Sequence, residues 1–462
     1  MRLLTAALYA TLLISSTVVA APSFAQELTD TDWRITIESR RLGPLDTIIF
    51  FEESANILRA VSRSGAVDQI RDLQGARADS VDIGDGLFSF SISQTGTDYT
   101  GTTISPWPGH SVSLIKTDSG ISGKIEGGLF RGSFTGVPVD SNYGALRDYA
   151  AILASTQDVV ASRIFDTSQL ATDAYGEFAG NMIRIAAVAR DDLDLVLGFK
   201  FAWTGQPFSH FELRRSNNSA EMMIRGFDNY RIGRQMAYVK FDGDVAILTV
   251  HTMMGQDTIE FIQQAYEQIA EQRSKTLIID LRQNSGGAFA IKPLVEHIID
   301  EPLNAGYFAS QVWNADNDHL PSADELAALE PWVGWSIIDF WNSVQNEGLL
   351  KVRFEPAEPN FDGPVFVLID GRSASATEIA VDALRASGLV TTVGQRTAGE
   401  MLSQSFFDVA DDFIISLPVA DYFSIAHGRI ESVGVPVDIE VASEDALEQS
   451  IALAREVMAQ HE

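Results

Sequence analysis

Apolar and polar residues alternate along the first third of this chain. Trp33, Ile35 and Ile37 are separated by single polar residues, and Phe88, Phe90 and Ile92 by Ser89 and Ser91. A period of two puts successive side chains on opposite faces of a strand. Turn residues punctuate the pattern at Asp118-Ser119-Gly120, Gly127-Gly128 and Gly132, so residues 26–139 are expected to form antiparallel hairpins and a small β domain. The period then lengthens to that of helices. Leu146, Tyr149, Ala150 and Leu153 share one face and Met182, Ile185 and Ala186 another, which predicts a helical subdomain over residues 140–225. From residue 226 strand and helix patterns alternate: strands near 245–250 and 276–281, helices near 259–272 and 292–299. Leu277-Ile278-Ile279 is an unbroken apolar run bounded by turns, the pattern of a strand buried on both faces. The fold class predicted for residues 226–462 is α/β. Residues 305–360 interrupt the rhythm with Trp313, Trp332, Trp335, Trp341 and a polar stretch around Asn314, and are read as an insertion or lid.

Composition narrows what such a chain can do. Its 462 residues suggest about three domains, and 45% hydrophobic residues with 26 Phe supply ample core. A net charge of −30 repels phosphate backbones and anionic lipid headgroups, so nucleic-acid partners are not expected. With no cysteine, disulfides, thiolate nucleophiles and Cys-ligated metals are excluded. The seven histidines show no paired ligand spacing and there is no Gly-Lys-Ser/Thr phosphate loop, so no metal or cofactor is expected. Arg2, an apolar stretch over 3–21, Pro22 and Ser23-Phe24-Ala25 have the layout of a signal peptide over residues 1–25, cleaved after Ala25. An uncleaved membrane anchor is the alternative, although Thr5, Thr11, Ser15, Ser16 and Thr17 dilute the run. The mature protein is thus expected in a periplasm or beyond the cell, outside the membrane.

Two strand–turn–helix elements carry candidate chemistry. The first ends the strand at 277–281 in Arg282-Gln283-Asn284-Ser285-Gly286-Gly287, where glycine lets backbone N–H groups approach a ligand oxygen. The second runs from Val365-Phe366-Val367-Leu368-Ile369 through Asp370-Gly371-Arg372-Ser373-Ala374 to Ser375, at the start of a helix. A serine there can simply cap the helix, or it can be a nucleophile with the next N–H aimed at a developing oxyanion.

These two segments, with Val393-Gly394-Gln395-Arg396-Thr397-Ala398-Gly399 and Gly434-Val435-Pro436-Val437-Asp438, resemble in order and spacing the C-terminal processing (tail-specific) serine peptidases. Tricorn core proteases and interphotoreceptor retinoid-binding proteins are relatives of that family. The resemblance begins near Tyr143 and implies a crotonase-like α/β catalytic core with a helical amino-terminal subdomain. It places the nucleophile at Ser375 and the oxyanion hole at the N–H groups of Gly287 and Ala376, with Gly286 beside them. Tail-specific members use a lysine where this chain has Glu400, and no lysine follows Ser375. The tricorn-like scheme remains, with a histidine from a Ser-His pair and a glutamate before the Gly-Val motif. Here those are His210, preceded by Ser209 as an accessory, and Glu431. Histidine suits proton transfer because its ordinary pKa is about 6.5. His427, four residues from Glu431, is the rival base.

Two functions follow from the resemblance. One is an exported serine peptidase acting on peptide or unfolded-protein substrates through an acyl-enzyme on Ser375. The other is a catalytically inactive peptide- or lipid-binding member of the same fold, a reading that Glu400 favours. Residues 216–238 leave no room for a PDZ-type domain, so recognition of substrate C-termini is not expected.

Overall fold

The computed structural model describes residues 24–75, 81–140, 143–317, 319–334 and 336–461. Residues 1–23 of the expected signal peptide and Trp335 lie outside the described residues. The bond after Ala25 lies within a short helix, α1 (Phe24–Thr29), whose Phe24 ring packs on Tyr99.

The alternating region closes on itself. Strands β1 (Asp32–Ser39), β2 (Gly43–Ser54), β3 (Ile57–Ser62), β4 (Ser89–Thr95), β5 (Asp98–Ser105), β6 (Ser111–Thr117), β7 (Gly120–Ile125) and β8 (Gly132–Val139) form an antiparallel barrel. β1 pairs with both β2 and β8, so no edge is left to recruit a foreign strand. Trp33, Ile35 and Ile37 point inward while Arg34 and Glu38 face water. Phe88, Phe90 and Phe134 are fully buried in the same core. Helix α2 (Val67–Gly75) leaves the barrel between β3 and β4.

Helices α3 (Tyr149–Arg163), α4 (Asp173–Ala186) and α5 (Asp192–Trp203) follow, each started by a side chain that accepts a backbone N–H: Asp148, Thr172 and Asp191. They share one continuous hydrophobic core with the barrel. β9 (Glu212–Arg215) and α6 (Ala220–Phe227) lead into the core.

The remaining elements are β10 (Ala237–Asp242), β11 (Val245–Val250), α7 (Gln256–Gln272), β12 (Thr276–Asp280), α8 (Ile291–Glu296), β13 (Leu303–Ser310), α9 (Gln311–Asp316), α10 (Ala323–Ala328), α11 (Ile337–Glu347) and β14 (Leu349–Phe354). Then come β15 (Val365–Ile369), α12 (Ala376–Ser387), β16 (Val390–Gly394), β17 (Ser403–Asp408), β18 (Phe413–Ser424), β19 (Gly428–Arg429), β20 (Ile439–Glu440) and α13 (Ala446–His461). They make a mixed α/β core of two sheets. The first has the order β10-β11-β12-β15-β16-β20 and is parallel except for the β10–β11 hairpin. Its apolar strands are covered on both faces: Ile278, Phe366 and Leu368 pack with α13, Ile279 and Val367 with α8 and α12. The second sheet, antiparallel, has the order β14-β13-β18-β17, and β9 adds to β18. The segment read as an insertion or lid thus contributes β13 and β14 to this sheet. Among the described residues no helix is long and apolar enough to cross a membrane.

Candidate active site

Parallel pairing of β12 with β15, from Leu277–Val365 to Asp280–Leu368, brings their following loops out side by side. Buried polar groups stitch the loops together. Asn284 accepts the N–H of Gly286 on its side-chain oxygen, 3.0 Å, and donates to the Val250 carbonyl, 3.0 Å; its own carbonyl accepts the N–H of Ala374, 3.0 Å. The Ser373 hydroxyl donates to the Leu281 carbonyl at 2.9 Å. Ser375 then sits at φ 56°, ψ −126°, immediately before α12, a conformation that costs an L-residue about 1–3 kcal/mol and is held only where its surroundings enforce it. Gly286 is required opposite it: a Cβ there would lie 2.6 Å from the Ala374 carbonyl oxygen and 2.8 Å from the Ser375 Cβ.

Glu378 is the main enforcer, one helical turn on. Its buried carboxylate accepts the N–H groups of Ser375 (3.0 Å), Gly399 (2.8 Å) and Glu400 (2.9 Å) and the Thr397 hydroxyl (2.6 Å). Burial pushes its pKa up, and these four donors oppose that shift. This tie was not singled out from the sequence, although Ser-x-x-Glu before an apolar helix face is a capping signal that contained it.

His210 arrives from the other side of the cleft. Phe208 and Phe211 pack into an aromatic cluster around Trp203, at 4.5 and 4.8 Å between ring centroids, and β9 follows at once on β18. The apolar–polar–polar–apolar order of Phe208-Ser209-His210-Phe211 thus anchors both ends and leaves the middle pair at the cleft. Loss of hydration lowers the His210 pKa to about 4.

Glu431 is buried and accepts three hydrogen bonds: Met401 N–H at 2.6 Å, Ser209 N–H at 2.7 Å and Ser209 Oγ at 3.1 Å. Burial raises its pKa. Its link to the imidazole is indirect, because Ser209 Oγ lies between them, 2.6 Å from His210 Nδ1. A hydroxyl has one proton, and a carboxylate can only accept it. With that proton committed to Glu431, Ser209 Oγ accepts from Nδ1–H, and Nε2 is left with its lone pair. Ser209, expected as an accessory, makes the contact to the ring, and Glu431 stands behind it.

Ser375, His210, Ser285, Gly286, Gly287 and Ala376 line one cavity of about 420 Å³. No hydrogen bond among the described residues takes up the N–H of Gly287 or of Ala376. Lys292, not anticipated, also borders the cavity, but its Nζ is held by Glu296 at 2.9 Å and the Val333 carbonyl at 3.0 Å. Glu400 is exposed, and only its backbone N–H is tied to the site. His427 is outside the cavity; its Nδ1 lies 2.6 Å from Asp382 Oδ1 on α12.

The sequence of this core, residues 244–441, matches peptidase family S41. A carboxyl-terminal-processing protease of Synechocystis sp. is 26% identical over 228 residues, 49% of this chain and 43% of that protein. One from Picosynechococcus sp. is 25% identical over 235 residues, 48% of this chain and 56% of that protein. The chain spans about half the length of these relatives. The photosystem II D1 C-terminal processing protease superposes with a TM-score of 0.41 at 15% identity, covering 66% of this chain and 94% of that one.

Proposed function

We propose that this S41 protein is a serine peptidase that cleaves peptide bonds through an acyl-enzyme on Ser375, with His210 as base and Glu431 acting on it through Ser209. The observation that carries the reading is the meeting, in one cavity, of a strained serine, a histidine with a free Nε2 and two unpaired backbone N–H groups. Ser375 Oγ attacks the substrate carbonyl carbon while its proton passes to His210 Nε2. The imidazolium is stabilised through Nδ1–H to Ser209 and onward to Glu431. The carbonyl oxygen, now negative, is received by the N–H groups of Gly287 and Ala376, each contributing roughly 3–4 kcal/mol to the barrier's lowering. His210 returns the proton to the departing amine. Water then repeats the sequence on the ester and frees the acid and Ser375.

The proposed substrates are peptides or unfolded proteins, and export rests on the signal-peptide layout of residues 1–25. Purified Ser375→Ala should lose hydrolysis of unfolded casein by about 10⁴-fold or more, and a fluorophosphonate should label the native chain at Ser375. Peptide binding with neither turnover nor labelling would instead indicate an inactive binding member of the fold.

A further inference from the structure

We propose that Phe289, Phe308, Trp332 and Phe340 equip the cleft with a rigid aromatic pocket that selects a large apolar side chain, aromatic above all, on the acyl side of the cleaved bond. This rests on the peptidase reading and names the substrate class of the same site. Four rings form a connected wall: Phe289 lies 4.9 Å from Trp332 and 6.0 Å from Phe340, and Phe340 lies 5.5 Å from Trp332 and 4.9 Å from Phe308. All four border the cavity that holds Ser375. Two covalent connections put the wall next to the reacting carbon. Phe289 follows Gly287 by two residues, and Ile379, also on the cavity, stands one helical turn beyond Ser375. A carbonyl oxygen held by Gly287 and Ala376 therefore has its adjoining side chain beside these apolar groups.

The wall is set before any ligand arrives. Trp332 is tied to β14 by its N–H to the Lys351 carbonyl, 2.7 Å, and by the Arg353 N–H to its own carbonyl, 3.2 Å. Lys292 pins the next residue by donating to the Val333 carbonyl. Both cations on the cavity are engaged, Lys292 with Glu296 and Arg353 with the Asn304 side chain at 2.9 Å. With both cations already engaged, an acidic side chain gains less here than an aromatic ring, which would exchange water for a preformed apolar surface.

The test uses peptides identical except for the residue on the acyl side of the bond. Phe should exceed Ala in kcat/KM by about 10²-fold, with Asp below Ala. Trp332→Ala should cut the Phe-to-Ala ratio by about tenfold or more, and Trp332→Phe should restore most of it. Ser375-dependent cleavage with equal rates for Phe and Ala overturns the pocket while leaving the peptidase reading intact. Absence of any cleavage sinks the peptidase reading, and the pocket is then judged by calorimetry with product peptides ending in Phe or Ala. Tighter binding of the Phe peptide, lost in Trp332→Ala, upholds it; equal binding overturns it.

Discussion

The chemistry of the site turns on how one imidazole is hydrated. His210 loses water on entering the cleft wall, which disfavours its charged form and brings its pKa to about 4. In the proposed mechanism the neutral ring is the proton acceptor. kcat/KM should therefore stay level from neutrality down to about pH 4 and fall about tenfold per pH unit below it, where an ordinary histidine would begin to fail near 6.5. A pH–rate profile with its acid limb between about 6 and 7 would mean that the Glu431 charge outweighs burial. Ser375, His210 and Glu431 were all legible as candidates, because each sits in a short motif whose order along the chain is distinctive. The relay through Ser209 was not. It depends on a 2.6 Å contact that the local pattern Phe-Ser-His-Phe permits without specifying, and on a glutamate separated from Ser209 by 222 positions. Lys292 was equally hidden, since nothing in Ile-Lys-Pro says that an ammonium will be buried and paired.

At the scale of elements, the site is where two strand–turn–helix units of one parallel sheet are locked to each other and to the 397–400 loop. Apolar runs placed β11 and β12 to within a residue and the helical pattern placed α7 to within three, because those segments lie in a regular buried layer. They did not reveal the second sheet. β13 and β14 are separated by three helices, and antiparallel pairing across such a gap leaves no periodic trace. Nor did they reveal the lock. Glu378 converts a capping position into a four-point anchor that joins the start of α12 to the 397–400 loop. Glu378→Ala would strand three backbone N–H groups and one hydroxyl in a dry site. It is expected to destabilise the fold by about 3 kcal/mol or more, read as a lower urea midpoint at unchanged slope. Fluorophosphonate labelling of Ser375 should slow in the same variant under native conditions, because the strained turn relaxes. Unaltered midpoint and labelling would show that water replaces the carboxylate without loss.

Across the whole molecule, the barrel and the helical layer are joined by charge as well as by a shared core. Asp192, at the start of α5 and fully buried, accepts the Asp46 N–H of β2 at 2.8 Å, Arg147 Nε at 3.0 Å and the Tyr149 hydroxyl at 2.9 Å. Arg215 of β9 reaches both carboxylates, at 3.0 Å for Asp46 and 3.3 Å for Asp192. Barrel, helices and the strand that follows His210 thus meet at one ionic knot. The alternating pattern predicted strands but not closure into a barrel, and it was silent on this knot, whose aspartates stand 146 positions apart. Asp192→Ala would leave Arg147 and Tyr149 short of a buried acceptor, so stability should fall by about 3–5 kcal/mol. Because β9 carries the chain from His210 onto β18, the loss should reach the cleft: denaturation followed by tryptophan fluorescence and by Ser375 labelling should shift together. Through Asp46 acid should act in the same direction, while burial, which raises the Asp192 pKa, works against it. Hydrogen bonds from Thr36 and Arg34 and the charge of Arg215 hold the Asp46 pKa below its ordinary value against the opposing effect of burial. The stabilisation it gives is complete above about pH 4 and is lost as pH falls through the lowered value. A barrel that melts separately from the helices, or an Asp192→Ala chain whose cleft labelling is untouched while its barrel loosens, would show that the knot does not couple them.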